Sequence, residues 1–193
     1  MSQSDVVFGA YGGIGSALCR RLAKKGARLL LAGRDEVRLA TLASELGAEC
    51  FCLDAANLRQ VESCMKRALE LHSPVDGVAN CVGSLLLKPA HLLSEEEWDA
   101  TVATNLKSAF AVVRAAAITM AQQGGSVALM SSAAARIGLA NHEGNLRSQS
   151  RDRRFGARCL RLLCLERNSS QLCGAGYDPY SANGQVAAER NDG

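Results

Sequence analysis

The stretch from Asp5 to Gly26, "DVVFGAYGGIGSALCRRLAKKG", decides how this chain folds. It begins with an apolar run of strand length and ends with apolar residues at the spacing of an amphipathic helix. Between them, Gly9 permits a tight turn, Gly13 lets backbone amides approach a phosphate, and Gly15 allows the helix to pack closely on the strand. The sequence therefore predicts a strand, a phosphate-binding turn and a helix whose unpaired N–H groups favour an anion.

The same unit of strand, turn and helix recurs further along the chain. "ARLLLAG" leads into "DEVRLATLASELG", and "AECFCLD" leads into "NLRQVESCMKRALELH". "VDGVANCVG" supplies a fourth strand and "GGSVALMSS" a fifth, with one or two helices between them that begin at a capping box of Ser94 and Glu97. The apolar runs are nearly continuous, which is typical of strands covered on both faces. We predict an α/β fold with a Rossmann-type, doubly wound parallel sheet that is truncated after the fifth strand.

Ligands of such sheets bind beyond the carboxyl ends of the strands, so these ends hold the candidate site residues. Tyr11 and Ile14 belong to the first turn and are expected to contact a cofactor with the glycines. At the end of the second strand an acidic residue would favour NAD, but "AGRDE" places Arg34 there. A guanidinium suits a 2′-phosphate, so NADP is the predicted cofactor and NAD the alternative. Asp35, the next residue, is a candidate cap for the following helix.

These motifs resemble those of the short-chain dehydrogenase/reductase family. "GAYGGIG" is similar to the family's glycine motif, although Phe8 stands where a threonine is common. The resemblance implies roles for further residues: Asp54 as the acid that contacts adenine, Asn80 and Gly83 in the turn "NCVG", Asn105 in "TNLKSAF" as the structural and catalytic asparagine, and Ser132 in "MSSAAA" as the catalytic serine. The matching order runs unbroken from Val6 to about Glu143. The residues also allow structural roles: Asp54 as a helix cap, Asn105 as a link from helix to strand, and Ser132 as a turn hydroxyl.

The family resemblance implies an NAD(P)-dependent oxidoreductase that transfers a hydride between nicotinamide and a small carbonyl or alcohol substrate. In the family a tyrosine exchanges the proton, and a lysine four residues later lowers its pKa. Counting from Ser132 by the family's spacing places Asn145 and Gln149 at these positions. Asparagine does not titrate, and a neutral glutamine does not stabilise a phenolate. Catalysis by this chain is therefore in doubt. The resemblance also implies a homo-oligomer, an implication that the altered tail weakens for the present chain.

The tail from residue 144 to residue 193 differs in composition from the rest. Residues 1–143 carry 14 basic and 14 acidic side chains, whereas the tail carries 8 arginines, no lysine and 5 acids. We interpret residues 1–143 as an NAD(P)-binding domain and 144–193 as a basic, disordered or loosely packed region outside the family pattern. If one extra base follows the Glu143 codon, the codons from Gly144 to about Tyr177 permit family-like sequence with the expected lysine. We therefore interpret the tail as the product of a frameshift.

Composition leaves a second function open. "RSQSRDRR" in the tail is similar to arginine/serine segments that bind RNA or protein, so the alternative is a non-catalytic nucleotide-binding or interaction protein, with nucleic acid the less favoured partner. The formal charge of +3 does not by itself imply an acidic partner. Eight cysteines without a secretory signal indicate a reducing, cytoplasmic setting. We predict that Cys50 and Cys52 are buried, that no metal is bound and that no segment enters a membrane.

Overall fold

The computed structural model describes residues 3–132 and 169–175 of this 193-residue chain, with the backbone alone for Ser132 and for 169–175. The strands are β1 (Ser4–Phe8), β2 (Arg28–Gly33), β3 (Glu49–Cys52), β4 (Gly77–Asn80), β5 (Ser126–Ser132) and β6 (Ser169–Ala175). The helices are α1 (Gly13–Lys24), α2 (Glu36–Leu46), α3 (Leu58–His72), α4 (Glu95–Val102) and α5 (Ser108–Met120). A 3₁₀ turn, Ala90–Leu92, precedes α4, and a π-helical turn, Ala103–Lys107, joins α4 to α5.

The strands form one parallel sheet in the order β3-β2-β1-β4-β5-β6. The chain winds outward from β1 through β2 to β3, and then crosses back to place β4 on the other side of β1. This reversal creates a crevice at the carboxyl ends of β1 and β4, where such sheets bind their ligands. The predicted Rossmann-type fold is thereby confirmed.

Alternate residues of the central strands pack into separate cores on the two faces of the sheet. Val6 and Phe8 of β1 belong to the core that α3 and α5 cover, whereas Val7 belongs to the core that α1 and α2 cover. This arrangement explains the nearly continuous apolar runs, because both faces of each central strand exclude water. Within the described part of the chain, no helix combines the length and apolarity that crossing a membrane requires.

The predicted capping box at the start of α4 is also confirmed. Ser94 accepts a hydrogen bond from the amide of Glu97, and the Glu97 carboxylate accepts one from the amide of Ser94, which completes the predicted capping box. The predicted single or double helix after it is a pair, α4 and α5, with the π-helical turn between them. That turn places an extra residue in the helical path and is one of the features on which the site depends.

The sheet extends one strand further than the sequence predicted. β6 pairs with β5 from Ser126 opposite Ser169 to Ser132 opposite Ala175, so β5 is not the edge of the sheet. An unpaired edge would leave the N–H and C=O groups of β5 without partners, and a parallel strand satisfies them whatever its side chains are. The rest of the tail, which the sequence predicted to be loosely packed, lies outside the described residues. Its predicted boundary at residue 143 lies outside them as well.

The prediction that Cys50 and Cys52 are buried is wrong. Both are free thiols with exposed side chains on β3, which is an edge strand paired on one side only, with β2. Their apolar neighbours in the sequence suggested a central strand, but β3 has a strand neighbour on one side alone and is poorly covered. Cys52 Sγ instead donates a hydrogen bond to the carbonyl oxygen of Arg34, and the two atoms lie 3.4 Å apart.

Candidate functional site

A cleft of about 200 Å³ lies at the carboxyl ends of β1, β2, β3 and β4. It brings together several of the residues that the sequence singled out: Gly9, Tyr11, Arg34, Asp54 and Gly83. Its other walls come from residues beside these in the chain and from the π-helical turn: Phe8, Gly12, Ala32, Gly33, Leu53, Ala55, Ala56, Cys81, Val82 and Thr104. The cleft therefore coincides with the crevice at which the sheet reverses its winding direction.

The glycine turn forms one end of this cleft and has little room for side chains. Gly9 has φ of 72°, and a Cβ there would lie 2.8 Å from the carbonyl carbon of Cys81 and the amide nitrogen of Val82. A Cβ on Gly15 would collide with the carbonyl oxygen of Gly9. A Cβ on Gly13, by contrast, would have no heavy atom within 4 Å. Gly9 and Gly15 thus allow the close approach of β1, β4 and α1, whereas Gly13 faces open space.

The N-terminus of α1 is suited to an anion. Its first N–H groups have no acceptor within the helix, the cap residue Gly12 has no side chain to bind them, and the first turn contains no acidic residue. Ile14 in this turn is 53% exposed. The positive end of the helix dipole is therefore neither capped nor neutralised by the helix's own side chains, and it lies beside the cleft that Gly12 lines. This cradle fits the pyrophosphate of a dinucleotide.

At the end of β2, the charged residue that faces the cleft is basic. Arg34 is exposed and lines the cleft. Asp35 is the N-cap of α2, and its Oδ1 accepts a hydrogen bond of 3.0 Å from the amide of Arg38. The sequence's suggestion that Asp35 caps this helix is confirmed. Its carboxylate is thereby tied to the helix start, which leaves the guanidinium of Arg34 as the charged group of this pair at the cleft.

Asp54 lines the same cleft just after β3, the strand that pairs with β2. Its Oδ1 accepts a hydrogen bond from the amide of Ala56 at 3.0 Å, and its own amide donates to Gln60 Oε1 at 2.7 Å. The alternative that Asp54 caps α3 is wrong, because Asn57 is the cap and accepts from the amides of Arg59 and Gln60. Asp54 is thus held in a tight turn with its exposed side chain at the cleft.

Two buried asparagines hold the side of the cleft that is formed by the residues after β4 and by the π-helical turn. Asn80 ends β4, accepts a hydrogen bond from the amide of Val82 at 3.1 Å and donates to Ser108 Oγ at 3.5 Å. Asn105 lies in the π-helical turn, accepts from the amide of Ser84 at 3.0 Å, and donates to Ser84 Oγ at 3.1 Å and to the carbonyl oxygen of Thr101 at 3.0 Å. Because each is only 3% exposed, these bonds replace those that water would make.

Asn105 therefore ties the π-helical turn to the segment that follows β4, as the structural alternative proposed. A Cβ on Gly83 would lie 3.3 Å from Asn105 Oδ1, so the absence of a side chain at Gly83 helps to admit this contact. The Asn105 side chain in the π-helical turn thus binds both Ser84 and, four residues earlier in its own helix, the carbonyl oxygen of Thr101. This structural role is compatible with a further role for Asn105 in catalysis.

The remaining predicted catalytic positions are only partly within the described residues. Ser132 is the last residue of β5, so its backbone lies at the carboxyl ends of the strands, as the cleft does. Its side chain is not described. Asn145 and Gln149, at the positions of the family's tyrosine and lysine, lie outside the described residues.

The sequence did not predict the contact between Tyr11 and Arg38. The Arg38 guanidinium lies 4.9 Å from the centre of the Tyr11 ring, and its Nη2 donates to the Tyr11 carbonyl oxygen at 3.3 Å. The two residues are 27 positions apart, and each has an ordinary surface role when considered alone. The signal that could have revealed the pair is positional: Tyr11 follows β1, Arg38 follows β2, and those strands are neighbours.

The fold and the cleft together define a Rossmann-type protein with a site for a dinucleotide. Comparison with known proteins identifies the family: the short chain dehydrogenase family model matches residues 5–143. The chain belongs to this family, as the sequence motifs suggested.

Curated proteins that are similar to this chain include a dehydrogenase and an uncharacterized oxidoreductase. A D-threitol dehydrogenase of Mycolicibacterium smegmatis is 32% identical over 143 residues, which are 71% of this chain and 55% of that protein. An uncharacterized oxidoreductase of Mycobacterium tuberculosis is 35% identical over 151 residues, or 74% of this chain and 54% of that protein. This chain spans about half the length of the curated relatives that it matches.

Solved structures share the fold over most of the chain. A metagenomic short-chain oxidoreductase in complex with NADP has a TM-score of 0.85 and 28% identity, covering 91% of this chain and 82% of that one. A single-residue variant of actinorhodin polyketide ketoreductase with NADPH also has a TM-score of 0.85, at 24% identity, covering 89% of this chain and 69% of that one. The second likeness concerns the fold alone.

The different surroundings of Gly15 and Gly13 lead to a matched prediction. Gly15→Ala should lower the free energy of unfolding by about 2 kcal/mol or more, because the new methyl group must displace α1 from the end of β1. Gly13→Ala should leave it unchanged or raise it by up to about 1 kcal/mol, since alanine is the better helix former and has space there. Urea titration of both variants measures the difference. Equal stability of the two would contradict the described packing.

Proposed function

We propose that this chain binds NADP(H) in the cleft and descends from an oxidoreductase that exchanges a hydride with a small carbonyl or alcohol substrate. The observation that carries the proposal is the combination of an uncapped helix N-terminus at the glycine turn with Arg34 at the end of the neighbouring strand. The relative solved in complex with NADP supports it, as do the relatives named as oxidoreductases.

Each end of the cleft has a proposed role. The amides of Gly13 and Ile14 bind the pyrophosphate, and Gly9 and Gly15 keep α1 close enough for them to do so. Arg34 binds the 2′-phosphate through charge-assisted hydrogen bonds, which contribute about 1.5–3 kcal/mol each. Asp54 accepts a hydrogen bond from the adenine amino group. Asn80 and Gly83 shape the wall that leads toward the nicotinamide end.

We further propose that hydride transfer in this chain is slow. When bound, the nicotinamide supplies or accepts the hydride, and the protein must move a proton at the substrate oxygen. Ser132 and Asn105 are the proposed polar groups for that task, but Asn145 stands in place of the tyrosine that exchanges the proton in the family, and Gln149 in place of the lysine that lowers its pKa. The second candidate function follows from this loss: a nucleotide-binding protein without catalysis. Turnover of NADPH against a panel of carbonyls, beside direct binding of NADPH, separates the two.

The proposed division of the chain is a cofactor-binding domain, residues 1–143, followed by a basic tail outside the family pattern, residues 144–193. The family model ends at residue 143, which supports this boundary. The proposed cause is a shift of reading frame after the Glu143 codon, and the DNA sequence at that codon is the direct test.

The cofactor preference can be tested at Arg34. Arg34→Asp should weaken NADPH binding at least tenfold, by about 1.4 kcal/mol or more, and should narrow or reverse the preference over NADH, because it places a negative charge beside the 2′-phosphate. Arg28→Asp is the matched control, since Arg28 is exposed at the opposite end of the same strand, β2. Fluorescence titration with both cofactors measures the ratio. Equal losses of NADPH and NADH affinity in Arg34→Asp would refute the assignment.

The account of catalysis can be tested by restoring the reading frame. Removal of one base after the Glu143 codon should return a lysine at the position of Gln149 and raise NADPH affinity. The position of Asn145 cannot become tyrosine by that change, because its shifted codon begins with A. Introducing tyrosine there in the restored protein should raise the rate of carbonyl reduction by about 10²- to 10⁴-fold. The account fails if the restored protein already reduces carbonyls as fast as its tyrosine variant.

A further inference from the structure

The ring of Tyr11 lies against the last residue of β2, inside the proposed cofactor cleft. A Cβ on Gly33 would lie 2.5 Å from Tyr11 Cε1 and 2.9 Å from Cδ1. Only glycine leaves this space free for the ring. Tyr11 and Gly33 both line the cleft, and the next residue after Gly33 is Arg34. The ring therefore forms the wall directly beside Arg34, the residue proposed to bind the 2′-phosphate.

Arg38 holds this ring through two separate contacts. Its guanidinium lies over the face of the ring, 4.9 Å from the centroid, and its Nη2 donates to the carbonyl oxygen of Tyr11 at 3.3 Å. The first restrains the side chain and the second restrains the backbone of the same residue. The position of Arg38 is itself restrained, because Asp35 binds its amide at the start of α2.

Three features indicate that this arrangement serves the cleft rather than the core. Tyr11 is half-buried and Arg38 is exposed, so their contact excludes little water from the interior. Arg38 forms no ion pair with any carboxylate of the described residues. It also does not itself line the cleft, which Tyr11, Gly33 and Arg34 do. Arg38 can therefore affect a ligand there chiefly through Tyr11.

We propose that Arg38 is a positioning residue for recognition of the ribose 2′-phosphate: it fixes the ring of Tyr11 against Gly33 and so preforms the wall beside Arg34. The inference rests on the proposed binding of NADP(H) and adds to it a second determinant of cofactor choice. The physical reason is preorganisation. A wall that is already ordered in the free protein does not have to lose conformational freedom when the phosphate binds.

The test uses ligands that contain only the adenosine end of the cofactor, so that the nicotinamide end does not affect the result. Adenosine 2′,5′-bisphosphate and adenosine 5′-monophosphate are titrated into the full chain by calorimetry. The parent chain should prefer the bisphosphate by about tenfold or more. Arg38→Met, which keeps the length of the side chain but removes the charge and the donors, should reduce bisphosphate affinity about three- to tenfold. Affinity for the monophosphate should change less than about twofold.

Further variants distinguish positioning from direct contact. Tyr11→Ala removes the ring and should lose bisphosphate affinity as Arg38→Met does. In the double variant Tyr11→Ala/Arg38→Met, the loss should be no greater than in Tyr11→Ala alone, because Arg38 acts through the ring. Arg28→Met controls for the change in net charge, since Arg28 lies at the other end of β2. It should bind both ligands as the parent does.

The possible failures are separable. If the parent chain binds neither adenosine ligand, the proposed NADP(H) function fails, and this inference with it. If the parent prefers the bisphosphate but Arg38→Met keeps that preference, only the inference about Arg38 is wrong. A purely structural role would reduce the affinity for both ligands equally, and a direct contact with phosphate would make the losses in the double variant additive. Each of these two results would also overturn the inference.

Discussion

The carbonyl oxygen of Gly9 occupies the space where any side chain on Gly15 would have to stand, so the start of α1 rests directly on the end of β1. The same turn brings Gly9 against the backbone of Cys81 and Val82, which follow β4. Two strands and a helix thus meet at one point, where the winding of the sheet reverses. The position of the cleft, the direction of the uncapped N-terminus of α1 and the distance between them all depend on this contact. A larger residue at either glycine would separate the elements that form the site.

The described site has two unequal parts. The part proposed to face the adenosine and pyrophosphate is built from β1, β2, β3 and their following turns, and its polar groups are held by local hydrogen bonds such as those of Asp35 and Asp54. The part proposed to face the reacting carbon depends on β4, β5 and the residues after them, where the family match ends. Asn105 belongs to this second part of the site, where it links the π-helical turn to Ser84. On the proposed assignment of residues, the chain would be better equipped to bind a dinucleotide than to move a proton.

Sequence patterns predicted those features that depend on neighbours in the chain. Helical and strand periodicity revealed the alternating units, and the spacing of Ser94 and Glu97 revealed a capping box. Counting strands placed Arg34 at the carboxyl end of the second strand, where it lines the cleft. Features that depend on contacts between distant segments were missed. Tyr11 and Arg38 meet because β1 and β2 are neighbours, which neither residue's own surroundings indicate.

The other discrepancies have similar causes. Cys50 and Cys52 are exposed because β3 is an edge strand, and the local sequence does not distinguish an edge from a centre. β6 was missed because its residues, "SSQLCGA", lack the apolar, β-branched character of a buried strand. It pairs with β5 through backbone groups that every residue except proline offers. The cap of α3 was assigned to Asp54 as an alternative, although Asn57 is closer to the first turn of the helix and occupies that position.

The proposed function depends above all on the binding of a dinucleotide pyrophosphate by the uncapped N-terminus of α1. The most direct measurement is a titration of the ¹⁵N-labelled full chain with NADPH, followed by the amide resonances of Gly13 and Ile14. The account predicts that these amides shift progressively and together, because they would donate to the phosphates, while amides at the other end of α1, such as that of Lys24, remain unchanged. Binding of NADPH without any shift at the glycine turn, or no binding at all, would contradict the account.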